Sequence, residues 1–215
     1  MLRALLLDLD GTLAETDSLH LPTWADVLEP HGIQIDETFY KKNISGRLNP
    51  DIVEDLLPHL SESEGREIAN TKETDFRRRT DELEPLPGLM GFLEKARARG
   101  LTLALVTNAP AENVHAVLGG LGLADAFDAK FLAAEVGAGK PDPAVYRAAL
   151  GELGILPEEG LAFEDSISGI SSAVGARVPT VGVASTHEPG ELREAGAFVV
   201  VEDFADPECR ALLDP

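Results

Sequence analysis

Short apolar runs that end in polar chemistry recur along this chain. Residues 3–9 read Arg-Ala-Leu-Leu-Leu-Asp-Leu. Consecutive apolar side chains load both faces of an extended segment, which is the pattern of a buried strand in a parallel sheet. Residues 101–106 form a second such run and stop at Thr107-Asn108. Residues 161–163 form a third and stop at Glu164-Asp165, and 179–183 and 197–201 are further strand candidates. Helical spacing fills the gaps. Over 88–99, Leu89, Phe92, Leu93 and Ala96 fall on one face and Gly100 supplies a stop. Asp142-Pro143 predicts an N-cap and first turn for a helix reaching about residue 151, and 166–176 predicts another. Strand and helix in alternation predict an open parallel sheet with helices on both faces.

Residues 15–84 break the rhythm. Helical patterns occupy 18–31, 50–57 and 61–81, with a Ser61/Glu64 capping box opening the last, and no strand pattern intervenes. The prediction is therefore an α/β fold: a Rossmann-like three-layer α/β/α core from residues 1–14 and 85–215, plus an inserted α-helical domain over 15–84.

Composition changes this picture only at the edges. The chain has 215 residues, 44% hydrophobic and 26% charged, which is globular usage and enough to bury a core. Its 18 Lys+Arg against 38 Asp+Glu give a net charge of −20. That excess argues against nucleic acid and anionic membrane surfaces as partners. It also poses a difficulty for any anionic substrate. A single cysteine, Cys209, leaves no internal disulfide and suits a reducing compartment. Asp8 and Asp10 interrupt the N-terminal apolar run, so neither a signal segment nor a membrane span is expected there. The expectation is a soluble, cytoplasmic protein with no obligate protein partner.

Chemistry gathers where the strands end. Asp8-Leu9-Asp10-Gly11-Thr12 follows the first strand directly. In extended chain, a spacing of two sends both carboxylates to the same side. Two like charges buried together require a counter-charge, and a hard divalent cation with oxygen ligands supplies one. Glu164-Asp165-Ser166 ends a later strand. On its own it reads as an N-cap; beside Asp8 and Asp10 it reads as the rest of a metal site. Thr107-Asn108 precedes a Pro110-led helix, which makes either an ordinary cap or an anion-binding corner. Lys140 lies in Gly-Ala-Gly-Lys-Pro, where Pro141 restricts its backbone, and it suits a fixed contact to a phosphate or carboxylate.

Asp8-x-Asp10-Gly11-Thr12, Thr107-Asn108, Lys140-Pro141 and Glu164-Asp165-Ser166-x-x-Gly169 follow one another in an order that resembles the haloacid dehalogenase superfamily of phosphoryl-transfer enzymes. The resemblance spans essentially the whole chain. The helical insert resembles the small α-helical cap of the branch with sugar phosphatases, phosphoglycolate phosphatases and β-phosphoglucomutase. It implies an Mg²⁺-dependent phosphatase acting on a small phosphorylated metabolite. Asp8 is implied as nucleophile, Asp10 as general acid and base, and Thr107 and Lys140 as phosphoryl ligands. Asp8, the Asp10 carbonyl, Asp165 and Glu164 are implied as the Mg²⁺ site.

Substrate contacts are expected from Asn108 and from the insert. His20 faces either the site or solvent. Arg47, in 41–47, resembles a substrate-contacting loop residue, and Trp24 reads as core. Lys72 resembles a cap lysine that reaches the site, although a lone helix lysine ordinarily reads as solvated, as do Arg77, Arg78 and Arg79. A phosphomutase is the alternative, but Ala109-Pro110-Ala111 after the second motif offers no side-chain donor for a second phosphate. A catalytically silent binding protein on the same fold is the third reading.

Overall fold

The computed structural model describes residues 1–214. Six parallel strands form one sheet: β1 (Ala4–Leu7), β2 (Thr102–Thr107), β3 (Ala129–Leu132), β4 (Gly160–Glu164), β5 (Thr180–Val183) and β6 (Val199–Val201), in the order β3-β2-β1-β4-β5-β6. This is the expected three-layer α/β/α core. The strand order reverses between β1 and β4, and in such sheets the ligand crevice lies beyond the strand ends at the reversal. Leu7 pairs with Phe163, and the Asp8 N–H donates to the Phe163 carbonyl at 3.1 Å. That register sets Asp8 beside Glu164.

Alternate residues of β1 point to opposite layers, which is why its apolar run is unbroken. Leu5 and Leu7 pack with Leu103, Leu105 and Phe163 beneath the first layer. Ala4 and Leu6 join Ala104, Val106 and Ala162 beneath the second.

Helices α1 (Asp17–Leu28), α2 (Glu37–Asn43), α3 (Asn49–Leu56) and α4 (Glu62–Arg77) fill the segment between β1 and α5 (Leu89–Ala98). They carry an apolar cluster of their own, including Trp24, Leu28, Tyr40, Ile44, Ile52 and Leu57. The Ser61/Glu64 capping box opens α4. Where the chain leaves the sheet and returns to it, the Leu86 N–H donates to the Leu13 carbonyl at 2.8 Å, so the two crossings run side by side. The remaining helices are α6 (Ala111–Gly120), α7 (Ala133–Val136), α8 (Ala144–Leu153), α9 (Ile167–Gly175), α10 (Pro189–Ala195) and α11 (Pro207–Ala211). Leu89, Phe92 and Leu93 of α5 and Val114 and Val117 of α6 cover the first layer. Val145, Tyr146 and Ala149 of α8 and Ala173 of α9 cover the second.

The short helices α2, α7, α10 and α11 were not expected from the sequence pattern, and two further details differ from it. β3 was not expected: Lys130 is exposed and only Phe131 and Leu132 are buried, so a four-residue edge strand leaves a weak signal. Helix α8 begins one residue late, at Ala144, with Pro143 in the cap position. Asp142 still caps it, its Oδ1 accepting from the Ala144 N–H at 2.8 Å. Among the described residues no helix is long and apolar enough to cross a membrane.

Phe204 is buried against Phe92 and Phe163, with ring centroids 5.1 and 5.4 Å away. Truncating a packed core phenylalanine removes its apolar burial and leaves a cavity. Phe204→Ala is expected to cost about 3–5 kcal/mol in urea unfolding. An unchanged midpoint would show that this layer is not packed as described.

Candidate active site

The C-terminal ends of β1, β2 and β4 open onto a cavity of about 490 Å³ whose far wall is α1–α4. Asp8 follows β1, Thr107 closes β2, and Glu164-Asp165 close β4. Carboxylate oxygens of Asp8, Glu164 and Asp165 lie within 4.8 Å of one another, and all three side chains are buried. Lys140 meets them: its Nζ lies 2.5 Å from Asp8 Oδ1 and 2.6 Å from Glu164 Oε1, and donates to the Val106 carbonyl at 2.7 Å. The Tyr146 hydroxyl donates to Glu164 Oε1 at 2.6 Å.

Two glycines make room for this cluster. A Cβ at Gly11 would collide with the Asp165 carboxylate, and Gly11 also adopts φ +72°. A Cβ at Gly169 would collide with the Glu164 carboxylate.

The electrostatics follow from burial. Desolvation pushes the Asp8 carboxyl up to about 7; Glu164 and Asp10 add to the rise, and Lys140 opposes it. Desolvation likewise holds Asp165 well above the carboxylate range, with Asp8 and Glu164 adding to it. Burial works against charge on Lys140, but Asp8 and Glu164 outweigh it and raise its value. One lysine, in contact with Asp8 and Glu164, therefore stands against a cluster of three carboxylates. Among the described residues, Glu164 Oε2 is buried without a hydrogen-bond partner. An orphaned oxygen within an all-oxygen donor set fits a hard divalent cation, with Asp8, Glu164 and Asp165 able to hold it.

Asp10 turns elsewhere. The chain leaves its strand at Leu7 and Asp10 bridges to Ala14, so Asp8 and Asp10 find different partners. Asp10 Oδ1 accepts from Thr16 Oγ1 at 2.8 Å and lies 3.5 Å from His20 Nε2. Burial raises its value, but the contacts to His20 and Thr16 prevail and the net shift is downward.

The other expected residues divide. Thr107 Oγ1 accepts from the Ala109 N–H at 2.9 Å, which leaves its own hydrogen free to donate. Asn108 lines the cavity and also clamps the Lys140 backbone, accepting from its N–H at 2.9 Å and donating to its carbonyl at 3.3 Å. His20 is on the cavity side, stacked on Phe76 with ring centroids 4.0 Å apart. Lys72 is not the solvated charge its helix position suggested. It is 2% exposed, borders the cavity, and contacts His20 Nδ1 at 2.6 Å and Glu73 Oε1 at 2.9 Å. Burial lowers its proton affinity, and Glu73 opposes that only in part. Arg47 lines the cavity, but its guanidinium is held by the Asn43 and Asp51 carbonyls and by Asp55. Arg77 is drawn inward to Asn113 Oδ1 at 3.1 Å, whereas Arg78 and Arg79 pair with Asp75 and Asp26 on the surface.

Sequence reasoning missed Thr16, Glu73, Asn113, Tyr146 and Thr186. Thr186 donates to Asp165 Oδ2 at 2.5 Å. Glu73 and Asn113 sit on helices with no motif around them, and Tyr146 reads as one more residue of an apolar helix face.

The sequence and the fold match a known group of proteins. The family model for haloacid dehalogenase-like hydrolases matches residues 2–177, and the chain belongs to that family. It is 31% identical over 212 residues to a phosphorylated carbohydrates phosphatase of Thermotoga maritima, covering 94% of each chain. It is 26% identical over 214 residues to a beta-phosphoglucomutase of Bacillus subtilis, covering 95% of this chain and 91% of that one. The crystal structure of CbbY from Rhodobacter sphaeroides in complex with phosphate superposes with a TM-score of 0.86 at 28% identity, covering 96% of each chain. The chain is a phosphoric monoester hydrolase of this family.

The buried acids are expected to make stability depend on pH and on a divalent cation. Asp8 has a folded value near 7 against an ordinary 3.8, so the folded state binds more protons in that window. Its contribution to stability falls as pH rises from about 4 through about 7 in metal-free protein. A divalent cation binds the ionised form, so the rise in Tm caused by Mg²⁺ or Mn²⁺ is expected to grow from pH 5 to pH 8. A metal-induced shift that is absent, or equal at both values, would contradict the cluster's role.

Proposed function

We propose that this protein is an Mg²⁺-dependent phosphatase of small sugar phosphates, working through an aspartyl-phosphate on Asp8. The observation that carries the reading is the buried Asp8–Lys140–Glu164–Asp165 cluster at the sheet's reversal point. Similarity to a phosphorylated carbohydrates phosphatase supports the substrate class.

Lys140 engages Asp8 Oδ1 and fixes the carboxylate's orientation. The other oxygen attacks phosphorus, and the bond to the sugar oxygen breaks as Asp10 supplies that oxygen with a proton. Water then attacks the same phosphorus, Asp10 takes its proton, and orthophosphate leaves with Asp8 restored. The ionised Asp10 favoured in the resting site is the form needed for the second step. A phosphate dianion alongside raises its proton affinity for the first. Thr107 donates to the phosphoryl oxygens, with N–H groups of the β1 and β2 loops, and Lys140, whose three hydrogens go to Asp8, Glu164 and the Val106 carbonyl, adds its positive charge beside them. Asp8, Asp165, Glu164 and the Asp10 carbonyl would hold Mg²⁺, which when bound screens the repulsion between carboxylate and phosphate.

Residues 15–84 act as a cap that closes over the substrate, hinged at 14–17 and 83–88 where the two crossings adjoin. His20, Lys72, Arg47 and Asn108 face the leaving group or hold what faces it. A mutase is the second reading, in view of the B. subtilis relative. A mutase must hold a second phosphate, and here Ala109 and Pro110 line that wall while Arg47 is already engaged.

The test is orthophosphate release from a panel of small phosphomonoesters with Mg²⁺. Release is expected, abolished by EDTA and reduced at least about 10³-fold in Asp8→Asn, as for loss of a nucleophile. Isomerisation dependent on a sugar bisphosphate, without phosphate release, would establish the mutase. Tight ligand binding with neither reaction would make the chain a silent binding protein.

A further inference from the structure

Three lysine and arginine side chains line the cavity, and each is already engaged. Lys140 belongs to the acid cluster and Arg47 to its own helix ends and Asp55. With Arg47 held in this way, Lys72 is the remaining cation that the helical insert brings to the leaving-group end among the described residues, and Glu73 neutralises it. Glu73 is 7% exposed and carries three donors. Its Oε1 accepts from Lys72 Nζ at 2.9 Å and from Asn49 Nδ2 at 2.6 Å, and its Oε2 accepts from Asn113 Nδ2. Burial raises its proton affinity, but Lys72 and Asn113 reverse that, so the carboxylate stays charged.

Lys72 has no acceptor function, so His20 Nδ1 accepts from it and the ring proton sits on Nε2, toward Asp10. Two of the three ammonium hydrogens are thereby committed, and one remains for a substrate oxygen. Asp17 and Asp10 add negative charge to the same part of the cavity. The wall can hydrogen-bond a hydroxyl group. It has no uncompensated positive charge to offer a second anion.

We propose that Glu73 is a specificity-determining residue: by cancelling the charge of Lys72, it makes the leaving-group end select an uncharged, hydroxyl-bearing group against a second phosphate or a carboxylate. This rests on the phosphatase reading above and narrows it. A desolvated site discriminates strongly when the wrong ligand brings an unpaired charge. With the carboxylate replaced by an amide, Lys72 becomes an available cation, and the penalty on an anionic leaving group falls.

The experiment compares kcat/KM for fructose 1-phosphate, fructose 1,6-bisphosphate and phosphoglycolate, with p-nitrophenyl phosphate as a general ester. The proteins are wild type, Glu73→Gln and the double variant Lys72→Met/Glu73→Gln. Wild type is expected to favour fructose 1-phosphate over both anionic substrates by about tenfold or more. Glu73→Gln moves that ratio by about tenfold toward the anionic pair, and the double variant, again without a free charge, moves it back. Equal turnover of all three by wild type overturns the proposal. So does a Glu73→Gln protein that loses activity in the same proportion on every substrate, which is what a purely structural role would produce. If Glu73→Gln fails to fold, the wild-type preference decides. Turnover of p-nitrophenyl phosphate without the preference overturns this inference and leaves the phosphatase reading standing. No turnover of any ester overturns both.

Discussion

Three carboxylates and one lysine share the buried end of β1 and β4, and the surrounding structure accommodates their repulsion. The register that pairs Leu7 with Phe163 places Asp8 beside Glu164. Lys140 is delivered to them from a loop whose backbone Asn108 clamps on both sides. Gly11 and Gly169 exist as glycines because a Cβ at either would strike a carboxylate. The compensation is incomplete: Asp8 and Asp165 are pushed toward the protonated state and Glu164 Oε2 lacks a partner. Such a cluster destabilises the resting protein, and a bound divalent cation would relieve it.

The helical insert answers the core with a second polar network. Its apolar residues pack among themselves, which lets it keep its own shape. Its contact with the core is polar at the cavity. Asn113 of α6 donates to Glu73 and accepts from Arg77, while His20 approaches Asp10. The same side chains that join insert to core also set the charge along that wall of the cavity.

The sequence makes the acid cluster legible because its chemistry interrupts apolar strands. Asp8, Thr107 and Glu164-Asp165 each follow a run that has no other reason to end in polar residues. Lys140 is marked by the glycines and proline around it. The parallel sheet is legible for the same reason, except β3, where Ala129-Lys130 at the edge dilutes the apolar signal. Glu73 and Asn113 are hidden because burial of a polar side chain depends on which helix lies across from it, and no local pattern encodes that. Lys72 shows the point most clearly: on α4 it resembles any charged helix residue, yet α1 and its own neighbour enclose it. The net charge of −20 belongs mostly to the surface. Its chemically significant part is the few carboxylates around Lys140, an arrangement that could hold a divalent cation.

The central claim is that Asp8 carries the phosphoryl group. The most direct measurement is acid quenching during turnover, followed by borohydride reduction and peptide mass spectrometry. Borohydride reduces an acyl phosphate and spares a free carboxylate. Reduction is expected at Asp8 alone and only with substrate and Mg²⁺ present. Turnover that continues with Asp8 unmodified, or with the reduced side chain found at another residue, would contradict it.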